Sequence, residues 1–146
     1  MANTVVVADE ATARIFSADS FRSKLNEIKL LTNAYGRELE HEISTDLPGR
    51  IVSLSRGTHN YENEEAIRDH ARYKFAKEVI SYIGDRYHKN NLGHLVILAS
   101  AEFLGELRKL MSPELTKTVI LEKPNDLTKL SSEEIYQHLQ VYYGRR

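Results

Sequence analysis

Apolar positions in the first part of the chain form short β-branched runs followed by one period-two alternation, and further along they follow a period near 3.6. Thr4-Val5-Val6-Val7-Ala8 is a short β-branched run, and after Asp9-Glu10-Ala11 strand character resumes at Ala13-Arg14-Ile15-Phe16-Ser17. That spacing predicts a hairpin. Between residues 25 and 33, Glu27, Ile28, Lys29 and Leu30 alternate polar with apolar, which predicts a third strand with one wet face. The three strands make an antiparallel meander. From residue 34 to about 61 neither period is sustained, and a stretch of that length inside a compact domain is usually functional or mobile.

The helical period begins after this stretch. Glu62, Glu64 and Glu65 suit the positive end of a helix dipole, and Ala76, Val79, Ile80, Ile83 and Tyr87 recur at helical spacing, predicting a helix that runs to about Lys89. Leu95-Val96-Ile97-Leu98 has no polar break, as expected of a parallel strand covered on both faces. Ser100 is placed to cap a helix with the stripe Phe103, Leu107, Leu110 and Met111. Ser112-Pro113-Glu114 opens a short helical turn before a strand over 118–121, and Ser131-Ser132-Glu133-Glu134 is a capping box with Leu130 and Ile135 as its staple. Ile135, His138, Leu139 and Tyr142 form the expected buried stripe of the last helix. The order β, β, β, helix, β, helix, β, helix predicts a mixed α/β sheet, with parallel strand-helix units appended to the meander.

Composition narrows the setting. With 146 residues the chain is the size of one domain, and residues 1–146 are read as undivided. It has no cysteine, which excludes disulfides, thiolate catalysis and Cys-based zinc sites. The opening residues have no basic n-region and no apolar run long enough for a signal or a span, so a cytoplasmic location without a membrane partner is expected. Balanced charge, 20 Lys+Arg against 21 Asp+Glu, means that any polyanion must be met by a local patch.

Three blocks carry a resemblance to a known family. They are Val5-Val6-Val7-Ala8-Asp9 through Ala13-Arg14-Ile15-Phe16; Asp46-Leu47-Pro48-Gly49-Arg50; and Phe103-Leu104-Gly105-Glu106-Leu107-Arg108 with the downstream Asp126-Leu127-Thr128. In this order they resemble the bacterial host-attachment protein family. That family in turn resembles the ribonuclease H-like middle domain of archaeal and eukaryotic peptide-chain release factors, which implies a ribonuclease H-like sheet and a translation-related role. Release factors carry Gly-Gly-Gln in the loop after the meander. Here Gly49 and Gly57 stand alone and no Gln lies between Ala34 and Tyr61, so release chemistry is not implied.

Several residues are candidates for chemistry, each with a plainer alternative. Asp9, at the end of the first strand, stands where a ribonuclease H-type nuclease holds a metal, with Glu10, Glu27 or Asp126 as its only candidate partners; the alternative is a solvated hairpin residue. The histidines, including His41 between Glu40 and Glu42, and His59, form no HExxH-type spacing, and His138 reads as a core residue. Gly105 inside a helix costs about 1 kcal/mol relative to alanine, which close packing against a neighbouring backbone would explain. Arg108 is expected to pair with Glu102 or Glu106. The leading candidate is the 46–56 segment with Asp46, Gly49, Arg50 and Arg56, joined by Arg68 and Arg72 on the following helix. Such a cluster suits phosphate, because guanidinium forks match its oxygens; the alternative is a loop whose arginines pair with Asp46, Glu64 or Asp69.

The sequence therefore supports a non-enzymatic binding module that engages RNA or the ribosome through the 46–56 segment, with no cofactor. A protein-contacting or regulatory factor affecting attachment is the first alternative, and a metal-dependent or ester hydrolase the second. The oligomeric state is not set by the sequence.

Overall fold

The computed structural model describes residues 2–34 and 59–143. Three strands, β1 (Asn3–Ala8), β2 (Thr12–Ala18) and β3 (Asn26–Thr32), precede the long helix α1 (His59–His88). Next come β4 (Leu95–Ala99), α2 (Ala101–Leu110), α3 (Pro113–Thr118), β5 (Val119–Lys123) and α4 (Ser132–Tyr143). They build a five-stranded mixed sheet of order β3-β2-β1-β4-β5. Strands β1, β2 and β3 pair antiparallel, and β4 runs parallel to both β1 and β5. The expected mixed α/β sheet is thus present, with β4 interior.

Alternation along the inner strands divides the core in two. Val6, Ala8, Ala13, Ile15, Leu95 and Ile97 face Phe75, Val79 and Ile83 of α1 and Phe103 and Leu107 of α2. Val5, Val7, Phe16, Val96 and Leu98 face Ile135 and Leu139 of α4. Because β4 is covered on both faces, all five of its residues are buried, and so an unbroken apolar run serves it better than alternation. The cap of α4 forms as the sequence requires: the Ser131 N–H donates to Glu134 Oε1 at 3.0 Å and the Glu134 N–H to Ser131 Oγ at 3.2 Å. Hydrogen bonding to the carboxyl, first from the Ser131 backbone N–H and then from the Ser131 side chain, holds Glu134 below its ordinary value. At α3 the Ser112 hydroxyl accepts from the Leu115 N–H at 3.2 Å.

Four expectations are corrected. Strand β3 is an edge strand exposed along nearly its whole length, Leu30 to 55%, so it has no dry face of the kind alternation implied. Ser100 precedes α2 but makes no side-chain cap, and its Oγ has no partner among the described residues. His138 is exposed on α4, since Ile135 and Leu139 alone supply that helix's fully buried positions. A Cβ at Gly105 would meet nothing within 4 Å, so close backbone packing is not the reason for this glycine. Gly93 is the position that needs one. Its φ is +65° and an added Cβ would lie 1.8 Å from the Ala2 carbonyl oxygen, where the turn into β4 crosses the start of β1.

Candidate functional site

Asp46, Gly49, Arg50 and Arg56 lie outside the described residues, as do Glu40, His41 and Glu42 and the side chain of His59. The two remaining members of the expected patch sit one turn apart on α1 in different surroundings. Arg68 is exposed and makes no ion pair among the described residues. Arg72 is the hub of an acidic ring: Nη1 meets Glu10 at 3.0 Å and Glu102 at 3.2 Å, Nη2 meets Asp69 at 3.0 Å, and Glu106 lies 3.9 Å from Nε. Burial alone would lower the pKa of this guanidinium, but the bond and charge of Glu10, then Asp69 and Glu102, carry it above its ordinary value. The ring ties α1 to the β1–β2 turn and to the first turns of α2. Pairing with Asp69, one of the plainer alternatives, is therefore present.

On the opposite side of the same strand ends, Asp9 closes the β1–β2 turn. Its Oδ1 accepts from the Ala11 N–H at 2.9 Å and the Thr12 N–H at 2.8 Å, an arrangement that lets aspartate fold its own following backbone. Its Oδ2 lies 3.0 Å from the Thr128 hydroxyl, which also reaches Asp126 Oδ1 at 2.7 Å. Asp9 and Asp126 are thus brought together through a threonine that the sequence reading did not weigh, whereas Glu10 is committed to Arg72 and Glu27 to Arg14. Asp126-Leu127-Thr128 signals only the local half of this arrangement, because an aspartate two residues before a threonine is placed to accept its amide, here at 3.1 Å.

Arg14 fixes the segment that carries Thr128. From the face of β2 that looks towards α4, its Nη1 donates to the carbonyl oxygens of Thr128, at 3.1 Å, and Leu130. Its other edge makes a fork with Glu27 of β3 at 2.8 and 3.2 Å. The guanidinium lies 5.2 Å from the Phe16 ring centroid. Arg108, expected to pair within its helix, instead donates to Glu122 of β5 at 2.6 Å, and so joins α2 to the sheet. Among the described residues no three His, Asp or Glu side chains converge as a metal group, and no helix is long and apolar enough to cross a membrane.

Fold and site together define an α/β protein in which the carboxyl end of β1 is joined to the β5–α4 connection by the chain's own polar side chains. Comparison with protein families then places it: the family described as "Protein required for attachment to host cells" matches residues 4–139, and the chain belongs to that family. Among curated proteins there is no match.

Proposed function

We propose that the chain is a non-enzymatic cytoplasmic binding module on a ribonuclease H-like frame similar to the release-factor middle domain, engaging RNA or the ribosome through the 46–56 segment and the head of α1. The observation that carries this reading is Arg68, an exposed guanidinium without an ion-pair partner among the described residues, on the helix that follows Asp46, Gly49, Arg50 and Arg56 in the sequence. Arg72 enters the patch as a positioning residue, since carboxylates already answer its charge. Asp9 supports the non-enzymatic part: both of its oxygens are taken up by groups of the chain itself.

The test is RNA and ribosome binding over a salt series by the wild type and by Arg50→Ala, Arg68→Ala and Arg72→Ala. With about three phosphate contacts, the logarithm of affinity falls with the logarithm of salt at a slope of about -2 to -3, each contact supplying ~0.7 to 0.9. Arg50→Ala and Arg68→Ala each lower the slope by about one contact and weaken binding to all sequences alike. Arg72→Ala lowers stability and leaves the slope unchanged. Absence of binding at low salt, or equal slopes for the wild type and Arg50→Ala, would sink the reading. The second reading, a protein-contacting or regulatory factor, is favoured by the family's description and would then stand.

A further inference from the structure

Thr128 is 7% exposed, and its hydroxyl has one hydrogen for two carboxylates. The contact to Asp126 Oδ1 is the shorter, 2.7 Å against 3.0 Å to Asp9 Oδ2, and the Thr128 N–H reaches the same Asp126 oxygen. The hydroxyl hydrogen therefore belongs to Asp126. Asp9 Oδ2 is left facing an oxygen lone pair, and that contact is attractive only when Oδ2 itself carries a hydrogen. Oδ1 is not the protonated oxygen, because it already accepts two backbone N–H groups.

We propose that Asp9 holds a proton on Oδ2 and donates it to Thr128, so that the junction between the β1–β2 turn and the β5–α4 segment is a pH-sensitive latch, tightened by protonation and loosened as Asp9 ionises. The surroundings favour the neutral acid. Burial pushes the Asp9 carboxyl up; the amides of Ala11 and Thr12 pull it down, the charge of Asp126 adds to the rise, a bond donated by the Thr128 hydroxyl would pull it down, and the net direction is upward. Among the described residues no cation pairs with Asp9. Arg72 of α1 is taken by Glu10, Asp69 and the α2 residues Glu102 and Glu106, and Arg14 of β2 by Glu27 of β3 and the carbonyls of Thr128 and Leu130.

The sign follows from linkage. Between the ordinary aspartate value and the raised one, the folded chain holds a proton that the unfolded chain has lost, so this contribution is full below the ordinary value and is lost as pH rises through the raised one. Asparagine imitates the protonated acid: its Oδ1 accepts from Ala11 and Thr12 while its Nδ2 donates to Thr128. The experiment follows the Asp9 carboxyl carbon by NMR in the wild-type protein, and the Tm of wild type and Asp9→Asn, from pH about 4 to about 8. The Asp9 carbon titrates above the ordinary aspartate range, and the Tm of Asp9→Asn matches wild type at the acid end and exceeds it increasingly towards neutrality. Titration at or below the ordinary range overturns the latch, as does an Asp9→Asn protein with a lower Tm at neutral pH. Should the variant not fold, the wild-type titration alone decides.

Discussion

Replacing Arg14 by methionine removes the guanidinium while keeping an apolar stem against Phe16, and the structure says what that removal costs. Two bonds from a charged donor to the Thr128 and Leu130 carbonyls are lost, from a side chain that is only 14% exposed. Charge-assisted bonds contribute roughly 1.5–3 kcal/mol each, and at the lower figure the two together contribute about 3 kcal/mol. The fork to Glu27 adds less than about 1 kcal/mol, since that carboxylate is 30% exposed and screened. Arg14→Met is thus expected to lose about 3–4 kcal/mol in urea denaturation. Hydrogen exchange should quicken first in the 127–131 segment. Glu27→Gln supplies the control: it should lose less than about 1 kcal/mol alone. A loss of less than about 1 kcal/mol for Arg14→Met, or a Glu27→Gln loss that equals it, would refute the argument that Arg14 acts chiefly by clamping the segment.

Three further outcomes are expected. Gly93→Ala should lose about 3–5 kcal/mol, the left-handed backbone accounting for about 1–2 and displacement of Ala2 for the rest; a loss under about 1 kcal/mol in the same assay would contradict the contact. Gly105→Ala should gain about 1 kcal/mol, because the new methyl enters open space on a helix, and a lower Tm would show that the space is not open. For Glu134 the sign opposes that of Asp9: a lowered carboxylate contributes stability above its ordinary value and loses it as pH falls through the folded value, so Glu134→Gln should flatten the acid limb of the Tm curve. An unchanged acid limb would argue against the capping bond.

Much of the architecture was legible because it rests on local rules. The burial of β4 on both faces, the stripe of α1 and the reciprocal cap at Ser131 and Glu134 each follow from spacing within one element. The errors arose where a neighbour decides. Leu30 alternates as a half-buried residue would, yet β3 is last in the sheet, and Ile28 and Leu30 stay wet. His138 keeps helical register with Ile135 and Leu139, but α4 presents only a narrow stripe to the sheet. The Thr128 bridge spans 119 residues of sequence, so no spacing rule announces it, and Arg72 gains Glu10 from 62 residues away.

The ends of the parallel strands are where open α/β sheets ordinarily hold ligands, and Asp9, where a ribonuclease H-type nuclease would hold a metal, stands at one of them. Such a residue must be ionised and must offer lone pairs outward. Asp9 does not offer them outward: Oδ1 is filled by two amides of its own turn, and Oδ2 meets the Thr128 hydroxyl. Glu10, next in sequence, is bound to Arg72, and Glu27 to Arg14. Freeing Asp9 would undo the β1–β2 turn, freeing Glu10 would loosen the tie between that turn and α1, and freeing Glu27 would remove the support it gives to Arg14. Polar residues at this end of the sheet therefore hold elements together, and the physical case for a contact surface moves to guanidinium groups without an ion-pair partner among the described residues, such as Arg68.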